Sequence, residues 1–206
     1  MPIKTQERQY RQILVMPTTQ SPNKRFDTSR YIEGFATTFD TPYVLWEDND
    51  GTKYFEVVDR HALDQADMSD VIMQYNHQGK VLARISNQTL LVEPQDKGLF
   101  IAADLSKSRA AEDMHQEIEN QLVTKMSWGF RLSEYSYDRV TRTFKIIKVS
   151  KVFDISAVSI PANAGTEISA RSWIDGVIDA EKRESLALRA RCLQLLIKTN
   201  GGEKDA

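Results

Sequence analysis

A chain of 206 residues, 41% hydrophobic and 27% charged, carries enough apolar material for one folded core with an appendage, and is not the composition of a disordered protein. Its net charge of −2 removes any general attraction for nucleic acid. The single cysteine, Cys192, excludes an internal disulfide and a cysteine-based zinc site, and no apolar run approaches the roughly 18 residues of a membrane span.

Residues 1–30 are polar apart from Ile13-Leu14-Val15-Met16, and predict a flexible leader holding at most one edge strand. The opening MPIKTQERQYRQ lacks the apolar core of a signal peptide, so a cytoplasmic, reducing location is expected. Strand patterns begin with YIEGFATTF (31–39) and continue with KYFEVV (53–58) after the turn-rich EDNDG. Asp59 is placed to cap a short helix through 60–67. In VIMQYNH (71–77), Val71, Met73, Tyr75 and His77 alternate onto one face, which predicts a strand ending in a loop at Gln78-Gly79.

A hairpin follows, with ARISNQTLLVEP and LFIAADL around Pro94-Gln95-Asp96-Lys97-Gly98. Residues 108–121 predict a helix with the stripe Ala111, Met114, Ile118 and Leu122. KMSWGF (125–130) then sets bulky Met126, Trp128 and Phe130 against Ser127 and Gly129, the signature of a strand with one crowded and one open face. After a turn near Tyr137-Asp138-Arg139, residues 144–160 predict a long, bent strand ended by Pro161-Ala162-Asn163. Residues 178–198 have Leu186, Ala190, Leu193 and Ile197 at helical spacing and predict an amphipathic helix with a frayed tail. The expected division is a leader over 1–30, a main domain over 31–170, and a linker with the C-terminal helix over 171–206. Many short strands and few helices predict a mainly β fold, a barrel or a sandwich, flanked by α-helices.

Three residues suit chemistry. A serine hydroxyl becomes a nucleophile when an oriented imidazole removes its proton. Ser127 has Gly129 two positions along on the same face, which leaves room for a peptide carbonyl and permits a bulge that aims backbone N–H groups at an oxyanion. Alone, this Ser-x-Gly reads first as a buried serine with a packing glycine on a barrel strand. Of the three histidines, His77 ends an apolar strand and is the candidate base, whereas His61 and His115 fall in polar settings that predict solvated rings. Asp154, between Phe153 and Ile155, is a carboxylate in an apolar strand and needs a partner, either a cation or a catalytic histidine.

In this order the residues resemble the tailed-phage prohead (capsid maturation) serine protease family, a distant relative of herpesvirus assemblin. The resemblance rests on Tyr75-Asn76-His77, on Met126-Ser127-Trp128-Gly129-Phe130, and on Asp154, Ser156, Val158 and Pro161-Ala162-Asn163. Gly34-Phe35-Ala36 and Glu56-Val57-Val58 fit the family's opening strands, and the similarity spans about 31–170 with spacing intact. It implies an assemblin-like closed β-barrel, with Ser127 as nucleophile and His77 as general base and acid. It also implies capsid and scaffold proteins as substrates, cleaved inside the procapsid in the infected bacterial host. Where the family usually carries Glu this chain has Asp154, and assemblin uses a second histidine, for which only His61, at a position where the family has a small residue, and His115, inside the helix, are available; Asp154 is therefore the expected orienting residue. Oxyanion donors are expected beside Gly129 or at Arg131.

The reading is a serine endopeptidase that needs no metal or cofactor, meets no membrane and no specific nucleic acid, and cleaves scaffold or capsid segments, itself included. The alternative is a non-catalytic capsid assembly or scaffolding factor with a protease-derived fold. It would act through the helix over 178–198, which is suited to docking on a partner or on a second copy.

Overall fold

A computed structural model describes residues 8–13, 17–48, 50–159, 176, 179 and 183–195. Among the described residues ten strands and one helix form the main unit, Met1–Thr166. The strands are β1 (Gln9–Ile13), β2 (Tyr31–Thr38), β3 (Tyr43–Glu47), β4 (Lys53–Val58), β5 (Ile72–Tyr75), β6 (Gln78–Arg84), β7 (Leu90–Gln95), β8 (Gly98–Asp104), β9 (Lys125–Asp138) and β10 (Thr143–Val158); the helix α1 (Arg109–Glu119) lies between β8 and β9.

The β9–β10 hairpin is the spine. At about 3.3 Å per residue the 16 residues of β10 extend for about 50 Å. That length lets one edge of β10 pair with β9 while the other serves β4 in its first part and β5 in its last, both parallel. The larger sheet therefore runs β1-β9-β10-β4-β3, with the β5–β6 hairpin also on β10, and the smaller runs β2-β8-β7. Met126, Trp128 and Phe130 are fully buried on the inner face, with the Trp128 and Phe130 rings stacked at 4.0 Å. Each such side chain contributes roughly 1.5–3 kcal/mol by leaving water. In the smaller sheet Tyr31, Phe100 and Ala102 form a second cluster with Phe26, Phe35 and Leu91.

The closed barrel implied by the resemblance is not what the hydrogen bonding forms: among the described residues the strands make two sheets. An isolated parallel bridge, Phe39 to Val58, joins them, where the Asp40 N–H donates to the Val58 carbonyl at 2.8 Å. On β2, Glu33 is bridged by leader residue Thr18 through two backbone bonds of 2.8 and 2.9 Å, so that edge is capped locally and unavailable for closure there.

Several elements depart from expectation. The edge strand of the leader exists, but it is the polar QYRQI, while 14–16 lie outside the described residues. The short helix over 60–67 is a run of turns. Its bonds span three residues (Asp59 to Ala62, His61 to Asp64, Leu63 to Ala66), and β10 takes the next backbone groups through Val149 N–H to Ala62 and Asp67 N–H to Ser150. The strand expected over 71–77 stops at Tyr75, and β6 begins at Gln78. Helix α1 is capped by Ser108, whose hydroxyl accepts from Ala111 N–H at 3.2 Å. It buries Ala111, Met114 and Ile118 but ends before Leu122, which is exposed. Strand β3 carried no clear sequence signal. The C-terminal helix is seen over 183–195 with every residue exposed; Pro161-Ala162-Asn163 and Ile197 lie outside the described residues.

Candidate active site

Ser127 and Gly129 share one face of β9, and β10 presents Ser156 opposite Ser127 and Asp154 opposite Gly129. Phe153 is the extra residue of a bulge there, since Val152 pairs with Phe130 and Asp154 with Gly129. The bulge expected beside Gly129 thus falls on β10 rather than on the serine strand. It brings Asp154 and Ser156 onto the same face as Ser127, alternating with Phe153 and Ile155.

The histidine arrives from β5. Tyr75 pairs with Gln78, leaving Asn76 and His77 as a two-residue turn with φ of 47° and 60°. Positive φ at both central residues matches a type I′ hairpin turn, which Asn favours and a histidine tolerates with strain. The turn is tied to β10 by Asn76 N–H to the Ala157 carbonyl at 3.0 Å and by His77 N–H to Ser156 Oγ at 3.0 Å. The ring then crosses β10 at the level of the small Ser156 and reaches the serine strand.

The result is a continuous chain of polar contacts. His77 Nε2 is 2.6 Å from Ser127 Oγ, and His77 Nδ1 is 2.5 Å from Asp154 Oδ2. Asp154 also accepts from Ser156 Oγ at 2.9 Å and, on its other oxygen, from the Arg8 guanidinium. Asp154 is fully buried and Ser127 is 3% exposed. Burial pushes the Asp154 carboxyl upward, but the His77 hydrogen bond and the charges of His77 and Arg8 outweigh it and hold the group below the usual aspartate range. An ionised carboxylate only accepts, so the proton at His77 sits on Nδ1, and Nε2 is left to accept from Ser127. This arrangement can generate an alkoxide-like oxygen and stabilise the imidazolium that forms.

Gly129 is required by space. A Cβ there would overlap the Asp154 carboxylate and come within 3.0 Å of Arg8 Nε and 3.1 Å of Tyr10. The glycine therefore admits the carboxylate rather than only a substrate carbonyl.

The other candidates lie elsewhere. His61 is exposed and contacts Asp64 at 3.1 Å. His115, expected to be solvated, is buried on α1, and burial lowers its pKa. Arg131 is exposed with its guanidinium 5.2 Å from the centre of the Phe153 ring. Among the described residues no helix is long and apolar enough to cross a membrane, and no group of metal-ligating side chains gathers.

Sequence reasoning missed the contribution of β1. Arg8 pairs with Asp154, and the Tyr10 ring lies 4.3 Å from the His77 ring. Both come from a leader whose polar composition signals only solvent exposure. Ser156 stood in the sequence motif, but its two hydrogen bonds, accepted from His77 N–H and donated to Asp154, depend on a register no local pattern reveals.

A family model described as Caudovirus prohead serine protease matches residues 18–177. No curated protein matches the chain, and no solved structure does.

Proposed function

The chain belongs to the Caudovirus prohead serine protease family, and we propose that Ser127 is its nucleophile, His77 its general base and acid, and Asp154 the group that orients His77. Ser127 Oγ attacks the scissile carbonyl as its proton passes to His77 Nε2. The imidazolium, held by Asp154, then protonates the leaving amine. Water activated by the same imidazole releases the acyl group and restores the serine. The catalytic residues all lie within the 31–170 domain, while β1 adds Arg8 and Tyr10 to their surroundings. The substrates are segments of scaffold or major capsid protein, cut inside the procapsid as the phage head matures.

The observation that carries this reading is the unbroken contact from hydroxyl to imidazole to carboxylate, at 2.6 and 2.5 Å, between residues 50 and 77 positions apart. It is tested by co-expressing capsid and scaffold proteins with wild type or Ser127→Ala and following intact masses. The variant should fold and lose cleavage by about 10⁴-fold or more. Undiminished cleavage by Ser127→Ala would remove the serine from the mechanism.

A further inference from the structure

Ser127 is covered by its own chain. Around the serine one edge of β9 is paired with β1, from Met126 opposite Ile13 to Phe130 opposite Gln9, and β10 takes the other. With β1 in place, no edge of β9 is free beside the serine for an incoming peptide strand. The covering strand also brings a peptide carbonyl to the serine, because Ser127 Oγ donates to the Arg11 carbonyl oxygen at 2.9 Å.

The side chain of that same residue fills a buried acidic pocket. Arg11 is 2% exposed, and its Nε is 2.7 and 3.0 Å from the two carboxylate oxygens of Glu56, itself fully buried. Tyr43 donates its hydroxyl to Glu56, and Arg11 Nη1 donates to the Tyr10 carbonyl at 2.9 Å and to Gln9 Oε1 at 3.4 Å. Phe130 forms one wall, its ring centre 5.7 Å from the guanidinium carbon. Burial and the neighbouring Glu56 push the Tyr43 hydroxyl far above its ordinary pKa, so it remains a donor.

Building on Ser127 as nucleophile, we propose that β1 occupies the substrate groove of this protease, that substrates are extended segments which replace β1 on β9, and that Glu56 with Tyr43 selects an arginine at the residue whose carbonyl meets Ser127. Main-chain pairing to a strand edge accepts many sequences, and a side-chain pocket supplies the choice among them. A buried carboxylate deprived of its cation is strongly unfavourable, so whatever displaces β1 must bring a positive charge to Glu56. The planar guanidinium suits this role better than an ammonium, since its Nε is shared between the two carboxylate oxygens while Nη1 donates to the Tyr10 carbonyl and its cationic carbon lies over Phe130. The form with β1 bound is a resting one. The single proton of Ser127 is shared between His77 and the Arg11 carbonyl, and Arg8 and Tyr10 lie against Asp154 and His77.

The experiment uses the full-length chain and a fluorophosphonate that labels an accessible reactive serine, with Ser127→Ala as control. Wild type should label slowly and Arg11→Ala about tenfold faster or more. A synthetic peptide with the sequence of residues 6–16 should protect the Arg11→Ala protein, and the same peptide with alanine for its central arginine should not. Because Arg11→Ala leaves Glu56 unpaired and can lower stability, Gln12→Pro provides a second route: it weakens the main-chain pairing of β1 while keeping Arg11 in the chain to neutralise Glu56, and should also label faster. In a peptide library, Gln12→Pro should cut after arginine, and adding Glu56→Gln should reduce that preference by about tenfold or more. Equal labelling of wild type and folded Gln12→Pro would show that β1 is a fixed structural strand and overturn the proposal. Cleavage indifferent to arginine would overturn the pocket. Absence of labelling in every folded variant would overturn the Ser127 assignment and this inference with it.

Discussion

The His77 imidazole spans two strands because two successive residues, Asn76 and His77, accept left-handed backbone and Ser156 holds the second by its N–H. Ser156 is fully buried and ties His77 to Asp154, so Ser156→Ala strands a buried N–H at a cost of about 1–3 kcal/mol. We expect that variant to remain folded with kcat reduced more than KM is changed, measured on a cleavable peptide. Gly129→Ala drives a methyl group into the Asp154 carboxylate and should destabilise by about 1–3 kcal/mol in denaturant titration while impairing cleavage. Asp154 also sets a pH dependence. Its folded pKa lies below its unfolded value, so its contribution to stability is present above the ordinary aspartate range and is lost as pH falls through the folded value. Thermal unfolding should therefore show a midpoint that drops below about pH 4, with Asp154→Asn losing part of that slope. The residue types were legible here: a serine beside a glycine, a histidine after an apolar strand, and a carboxylate between apolar neighbours. Their partners were not, because every partner lies on another strand.

At the scale of elements, period-two patterns over long stretches were read well. The β9–β10 hairpin and the alternation of Met126, Trp128 and Phe130 follow from side chains that point alternately to opposite faces. Trp128→Ala should cost about 3–5 kcal/mol in chemical denaturation, since the side chain is fully buried against Phe130. Helix α1 was equally legible from its stripe, the structure adds the Ser108 cap, and Ser108→Ala should lower stability by about 1 kcal/mol. Short elements were misread where tertiary bonds compete with local ones. The residues after Asp59 have a helix-like start, yet β10 claims the backbone of Ala62 and Asp67 and leaves only turns. Leu122 continues the spacing of the α1 stripe, but Gln121 takes a φ of 59° and ends the helix first. Strand β1 is the reverse case. QYRQI has no apolar alternation, and it is held by pairing with β9 and by the buried Arg11–Glu56 pair.

For the whole molecule, a mainly β body with flanking helix was readable from composition and turn spacing, and closure was not. Whether strands close into a barrel depends on which edges remain free, and here a leader bridge caps β2 at Glu33 while β1 takes the edge of β9. The chain divides after Thr166 into two compact units, and in the second the described helix over 183–195 exposes Leu186, Leu188, Leu193 and Leu195. Exposed leucines at that spacing leave an apolar stripe on this helix. Truncation after Ala170 should therefore preserve the thermal transition and peptide cleavage of the first unit while weakening processing of assembled capsid proteins, checked side by side on both substrates.

The sequence by itself determined the class of fold, the family and the residue types proposed for the site, because side-chain alternation, turn chemistry and short motifs are local properties of a chain. Only the tertiary structure decided how those groups meet. A hydroxyl, an imidazole and a carboxylate spread over 78 positions come together through strand register, a bulge at Phe153 and a left-handed turn at His77. A polar leader strand covers them for the same reason: hydrogen-bond pairing between distant segments joins any two backbones, whatever their side chains announce.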